Sequence, residues 1–228
     1  MRIGVMLSGC GVQDGSEIHE ATLTLLFLDR AGATPVCFAP DKPQRDVVDH
    51  VTLAPLAGQS RNILVDSARI ARGKIQPLAA ADPDDLDGAI LPGGYGVAKN
   101  LTTFAAAGAP CEVDPDLARL LRALHVQHKP IGAICIAPVI LAALFGSEKP
   151  LLTIGNDPAS ARALETMGAG HQAAKVSEMV VDRRLKLVTT PAYMLAAGIA
   201  EAASGIERLV AEVLRLAKTP SVAAKANR

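Results

Sequence analysis

The segment Lys129–Pro138, KPIGAICIAP, constrains this chain more than any other stretch of similar length. A short apolar run ends at Cys135, just before a predicted helix. Two residues to either side stand Ala133 and Ala137. A sharp strand-to-helix turn that lifts a nucleophile clear of a sheet needs small residues there, because bulkier side chains clash across the turn; the common version carries serine between glycines. Here the nucleophile is a thiol, and the positive end of the following helix dipole favours its thiolate. A buried structural cysteine is the alternative reading of the same residues.

The rest of the chain fits an α/β domain around such a turn. Arg2–Leu7 reads as a buried strand, followed by the glycine-rich turn Ser8–Gly15. Ser16 is placed to cap a helix that runs to Arg30 and ends at Ala31-Gly32. Thr34–Ala39 and Asp87–Leu91 read as further strands, the latter closing in Pro92-Gly93-Gly94. A short helix is expected over Ile63–Ala71, with extended pieces at Val48–Leu53 and Ile75–Leu78. Asp114-Pro115 and Asp157-Pro158 each open a helix, since Asp caps and Pro suits the first helical position. Ile131–Ile134 and Leu151–Ile154 are expected strands. Met179–Asp182 and Leu185–Thr189 flank Arg183-Arg184 as a hairpin, and Ala196–Leu216 forms a closing helix. Strands alternating with helices predict a mostly parallel sheet with helices on both faces, a three-layer sandwich. Ligands of such sheets bind at the carboxyl ends of the strands. Three turns fall at such ends: Ser8–Gly15, Pro92–Gly96 and Cys135–Ala137. Residues 1–217 are expected to form a single domain, and 218–228 a disordered tail.

Composition excludes several functions. The chain has 228 residues, half of them hydrophobic but only 3% aromatic, and 23 basic side chains balance 23 acidic ones. With no basic stripe and few rings to stack on bases, nucleic acid is not an expected partner. Pro130–Ser147 lacks charge, but it is short for a membrane span and is broken by Gly132 and Pro138, so a buried strand and helix are expected instead. The cysteines at 10, 37, 111 and 135 make no CxxC pair, and the histidines at 19, 50, 125, 128 and 171 are scattered. No metal site and no cofactor are expected. Free thiols and an apolar start too short for a secretory signal predict a cytoplasmic setting.

Several separated segments resemble one superfamily. LPGGYGVAKNL at 91–101 resembles the LPGG…NL turn of PfpI-type, class I glutamine-amidotransferase-like proteins, and KPIGAIC resembles their nucleophile elbow. A glutamate twelve residues before a helix-ending glycine is a third mark; counting back from Gly32 gives Glu20. LVTTPAYM at 187–194 resembles the late strand and turn that close the pocket. SGCGVQDGSEIHEA at the start and TTPAYMLAAGIAEAASGI at 189–206 resemble the subfamily named for enhancing lycopene biosynthesis, the ElbB-like, glyoxalase-like proteins. Residues 40–85 and 104–116 are read as subfamily insertions that roof the pocket.

The resemblance spans residues 1–217 and implies a flavodoxin-like fold, a homodimer and a cofactor-independent glyoxalase. Such an enzyme converts small dicarbonyls, glyoxal and methylglyoxal, to hydroxy acids through a cysteine hemithioacetal, and its expected partner is a small dicarbonyl or aldehyde substrate. It implies Cys135 as nucleophile and Glu20 as its partner; the alternative for Glu20 is a first-turn acid held by the helix dipole. Gly94 and Ile136 are expected to offer backbone N–H groups to an oxyanion, with Gly93 permitting close approach. A tight turn after a strand is the plainer role of the two glycines. Cys10 is expected to lie near Cys135, shaping the pocket or resolving an oxidised sulfur. His19, His171 and Glu17 are weaker acid–base candidates. The histidine that directly follows the cysteine in PfpI-type peptidases is Ile136 here, which argues against peptidase chemistry. A redox- or electrophile-responsive cysteine protein with little turnover, or an accessory factor of isoprenoid metabolism, is the competing expectation.

Overall fold

The computed structural model describes residues 1–219. Its strands, in chain order, are β1 (Arg2–Met6), β2 (Thr34–Ala39), β3 (Ile75–Pro77), β4 (Gly88–Leu91), β5 (Ile131–Ile134), β6 (Leu151–Leu152), β7 (Gly170–His171), β8 (Val180–Asp182) and β9 (Leu187–Thr190). Seven of them form one sheet in the order β3-β2-β1-β4-β5-β9-β8; β6 and β7 pair separately. Every neighbour in the large sheet is parallel except β8, which runs antiparallel to β9 in the expected hairpin. The helices are α1 (Ile18–Arg30), α2 (Ile63–Ile70), the short α3 (Phe104–Ala107), α4 (Pro115–Val126), α5 (Pro138–Phe145), α6 (Pro158–Thr166) and α7 (Ile199–Ala217).

The central strands are apolar on both faces because both faces are covered. Ile3, Val5 and Leu7 pack with Leu28 of α1 and Leu209 and Val213 of α7, whereas Met6 turns to the opposite core. Leu91, Ala133 and Leu187 likewise join Leu120, Leu141 and Leu164 from α4, α5 and α6, while Ile90, Ile134 and Val188 face α7. This period of two, read across four strands, is the expected three-layer sandwich. Gly132 faces α7 for a packing reason: a Cβ there would lie 2.9 Å from Leu209 Cδ2 and 3.0 Å from Val213 Cγ2.

The two Asp-Pro starts are as expected. Asp114 accepts from the backbone of Asp116 and Leu117, and Asp157 from Ser160. Ser16 is not the cap of α1. Its hydroxyl accepts from Ser8 N at 2.8 Å, tying the first turn together, and Glu17 caps the helix by accepting from Glu20 N at 2.6 Å. Val48–Leu53 forms no strand; one bridge, Val48 to Pro55, holds an exposed excursion. Strand β6 is two residues long where four were expected, because Thr153 N leaves the ladder to donate to Thr189 Oγ1. Lys218 and Thr219 still donate back to Leu214 and Leu216, so the chain stays tied to α7 there; the expected tail from 220 onward lies outside the described residues. No helix among the described residues is long and apolar enough to cross a membrane; Pro130–Ser147 is β5 followed by α5.

Strand order reverses between β1 and β4, which places the topological switch point beside the carboxyl ends of β1, β4 and β5. The three turns singled out in the sequence leave the sheet there.

Candidate active site

Cys135 follows β5 directly and holds φ at +62°, a left-handed conformation that ordinary residues rarely adopt. Its N–H donates to Thr190 O at 3.0 Å, so β9 fixes the turn from the neighbouring strand. Ala133 and Ala137 are fully buried on either side. A strained nonglycine residue between a strand and a helix is the geometry of a nucleophile elbow. The amides of Gly94 and Ile136 lie near the sulfur and favour its thiolate.

Glu20 stands in the first turn of α1 with no solvent exposure. Its Oε2 accepts from Gly93 N at 2.8 Å and its Oε1 from Tyr193 N at 3.2 Å, and the carboxyl and the Cys135 side chain act on each other. Gly93 makes the meeting possible. A Cβ on it would stand 2.5 Å from Cys135 Cβ and 2.6 Å from Glu20 Oε2. Gly94, at φ +97°, continues the turn against the backbone of Gly15 and Ser16, and Glu17 N donates to Gly93 O at 2.9 Å. The start of α1 is thereby docked on the turn after β4. Asn100 completes the scaffold from a single π-helical turn, Val97–Leu101: its Nδ2 donates to Ser8 O and to Asp14 O, both at 2.8 Å.

Burial governs the chemistry of the pair. Loss of solvent, helped by the nearby Glu17 carboxylate, pushes the Glu20 carboxyl up to about 8. Burial also pushes the Cys135 thiol well above its usual range; charge on Glu20 opposes the thiolate, while the Gly94 and Ile136 amides favour it. With Glu20 ionised the sulfur keeps its proton; with Glu20 protonated, the carboxyl O–H is free to donate to sulfur. Burial thus favours the neutral form of both groups, and charge on one opposes charge on the other, so the two ionisations are coupled.

A cavity of about 460 Å³ opens over the sulfur. Its walls are Val12, Tyr95, Ala98, Phe104 and Ala105 on one side, with Ile136, Tyr193 and Met194 on the other. Glu17 and Ser160 are its polar side chains apart from the Tyr hydroxyls. Of the two segments expected to roof a pocket, 104–116 supplies Phe104 and Ala105, while 40–85 supplies none of the wall. The sequence marks the late PAYM turn as closing the pocket but does not single out Tyr193, because its contribution to Glu20 is a backbone N–H.

The remaining candidates separate. Glu17 caps α1 and lines the cavity. His19 is about half exposed and meets the cavity through the Tyr193 hydroxyl, 2.8 Å from its Nδ1. His171 does not reach back: it lies in β7, paired with Leu152 away from the cavity wall. Cys10 follows β1 where Asp66, Arg69, Asp14 and Arg61 act on its thiol, and it is not among the residues that line the cavity. Among the described residues no group of three or more acidic, His or Cys side chains is arranged to hold a metal ion.

No family model matches the chain. It is 44% identical over 224 residues to the mitochondrial glutamine amidotransferase-like class 1 domain-containing protein 3 of Homo sapiens, covering 94% of this chain and 83% of that protein. It is 34% identical over 206 residues to the mitochondrial ES1 protein of Danio rerio, covering 84% and 76%. Among crystal structures it resembles an isoprenoid biosynthesis protein with an amidotransferase-like domain from Ehrlichia chaffeensis, at 36% identity and a TM-score of 0.89, over 96% of this chain and all of that one. These relatives overturn the cytoplasmic expectation: the curated proteins are mitochondrial, and free thiols are equally at home in a reducing compartment bounded by a membrane.

Proposed function

The chain belongs to the ES1/ElbB-like family of the class I glutamine-amidotransferase-like superfamily, and from that premise we propose that it is a cofactor-independent glyoxalase-like enzyme acting through Cys135 and Glu20. One observation carries the proposal. A strained cysteine, beside two amides and a protonatable buried carboxyl, forms the floor of a cavity.

The chemistry follows from these groups. From the state in which Cys135 and Glu20 together hold one proton, the sulfur adds to the aldehyde carbon of a dicarbonyl, a C–S bond forms as the carbonyl π bond opens, and that proton moves to the new alkoxide. The carbon now bonded to sulfur lies beside the Glu20 carboxyl. Glu20, ionised by the first transfer, takes the hydrogen of that carbon, giving an ene-diol. The hydroxyl proton passes to the neighbouring oxygen, and return of the proton from Glu20 to the neighbouring carbon yields a hydroxyacyl thioester. Water adds to the thioester, the C–S bond breaks and the thiol regains its proton. The net reaction adds one water to the dicarbonyl and needs no external oxidant or reductant. The Gly94 and Ile136 amides, already near the sulfur, support the alkoxide and thioester oxygen formed next to it.

The test is lactate formation from methylglyoxal without glutathione or metal. Wild type is expected to reach a kcat/KM of about 10⁴ M⁻¹s⁻¹ or more, and Cys135→Ala to give none. Equal loss of methylglyoxal with both proteins, matched by a protein-free control, would overturn the reading. An accessory role in isoprenoid metabolism, the association named for the Ehrlichia protein, is the competing reading, and a two-copy assembly is a further part of the proposal. Sedimentation equilibrium showing only the monomer mass would remove the second of these.

A further inference from the structure

We propose that the substrate of this cavity is an uncharged carbonyl compound carrying an apolar arm, an aryl or branched alkyl 2-oxoaldehyde rather than methylglyoxal or an anionic metabolite. As a statement about turnover, this rests on the glyoxalase reading above; as a statement about what the cavity admits, it rests on the walls alone.

Two features carry it. The first is size. Methylglyoxal has five heavy atoms, and at no more than a water's share of about 30 Å³ each they fill about a third of the 460 Å³ over Cys135. The rest is bounded by Val12, Phe104, Ile136 and Met194 and by the ring of Tyr95, mostly apolar surface that gains from contact with an apolar group. Val12 and Tyr95 are partly exposed at the rim and tied by Tyr95 N to Val12 O at 2.7 Å, so the apolar surface continues outward from the sulfur. The second is charge. None of the side chains lining the cavity is Lys or Arg, and the one ionisable acid of the wall is Glu17. The cations of this region, Lys42, Arg45 and Lys99, line a separate depression, where Lys42 pairs with Asp114 and Lys99 with Asp46. A carboxylate or phosphate on the substrate arm would lose water against apolar walls and meet Glu17 with no Lys or Arg in the lining; His19, 3.9 Å from Glu17, and Lys99, 5.8 Å from the Tyr95 ring centre and paired with Asp46, both stand outside it.

The test compares phenylglyoxal, methylglyoxal and 4-carboxyphenylglyoxal on the full chain, each rate divided by that compound's reactivity toward free N-acetylcysteine. Phenylglyoxal is expected to exceed methylglyoxal in kcat/KM by about tenfold or more, the scale a hydrophobic pocket gives for a few added carbons. The carboxylated analogue is expected to fall at least about tenfold below phenylglyoxal. Ala105→Phe, which fills part of the cavity, should lower the phenylglyoxal-to-methylglyoxal ratio. A second arm needs no turnover: the rate of Cys135 alkylation, by intact mass, for phenacyl bromide against iodoacetate, again relative to free thiol. Preference for phenacyl bromide with no dicarbonyl turnover would overturn the glyoxalase reading and uphold the apolar, uncharged ligand class. No preference in either arm, or faster reaction of the anionic compounds, would overturn the inference.

Discussion

Glu20 is where the competing effects at the site can be separated. The carboxyl is needed as a base, yet its charge opposes the thiolate. Replacing it with an amide therefore has two opposite consequences. In Glu20→Gln the midpoint of Cys135 alkylation against pH should move down, because the charge that holds the thiol proton is gone. Dicarbonyl turnover should nevertheless fall by about 10²-fold or more, because no group remains to move the carbon-bound proton. An alkylation midpoint that moved up would show the carboxyl acting chiefly as a donor to sulfur. Stability gives an independent reading. The fold holds the Glu20 proton to about 8, whereas an ordinary glutamate releases it near 4.5. A raised acid contributes stability that is complete below 4.5 and is lost as the pH climbs through 8. The stability of Glu20→Gln relative to wild type should therefore rise across that window, by about 1.4 kcal/mol for each pH unit crossed, as read by chemical denaturation at a series of pH values. At the neighbouring position, Gly93→Ala puts a methyl between Cys135 and Glu20 with both closer than 3 Å. Turnover should fall about 10²-fold, the usual consequence of displacing reacting groups by an ångström, while the far-ultraviolet dichroism stays native.

At the scale of elements, the site is assembled by loops that brace one another, and Asn100 is the brace best suited to measurement. Its amide satisfies two buried carbonyls of the first turn and its Oδ1 accepts from Arg45 N. Asn100→Ala leaves those carbonyls without a donor, at about 1–3 kcal/mol for each orphaned group. A lower denaturant midpoint with a slower Cys135 alkylation is the expected result; an unchanged midpoint would show that water replaces the amide. This brace also marks the limit of what the sequence reveals. The Asp-Pro starts of α4 and α6 are legible because a cap acts on residues two or three positions away. The strands are legible because burial on both faces leaves an uninterrupted apolar run. Cys135 and Glu20 are legible from the spacing of familiar motifs. The cap of α1 escapes such a reading because Ser16 is recruited by Ser8, eight residues back, and the acid that replaces it looks like any first-turn glutamate. Tyr193 holds Glu20 across 173 residues through a backbone amide, which no side-chain pattern encodes. Cys10 lies at the expected strand end but does not line the cavity, because the glycine-rich turn packs on α2, Gly9 N donating to Ser67 Oγ.

Across the whole molecule, a centre buried on both faces of the sheet contrasts with an exposed excursion at its rim. The site draws on the carboxyl ends of β1, β4, β5 and β9, strands whose apolar residues are buried from both faces. The excursion after β2 is built differently. Val51 is 92% exposed and Leu53 62%, and almost the whole run 51–60 is exposed. It is held by one bridge and a few backbone bonds, among them Asp49 N to Ala54 O and Leu56 N to Val47 O. Its ends are anchored by the buried Val47, Val48 and Ile63, so the path on either side is fixed independently of the excursion. Few buried contacts mean a low local opening free energy, and proteases act on such segments first. Limited proteolysis with subtilisin should therefore cut between residues 51 and 60 before any other part of 1–219. Because nothing in 40–85 lines the cavity, the nicked protein should keep both fragments together on gel filtration and alkylate Cys135 at the rate of the intact chain. A first cut within 93–105 or 190–196 instead would place the weakest part of the molecule at the cavity wall. In that case substrate entry would be governed by opening of the wall rather than by its preformed shape.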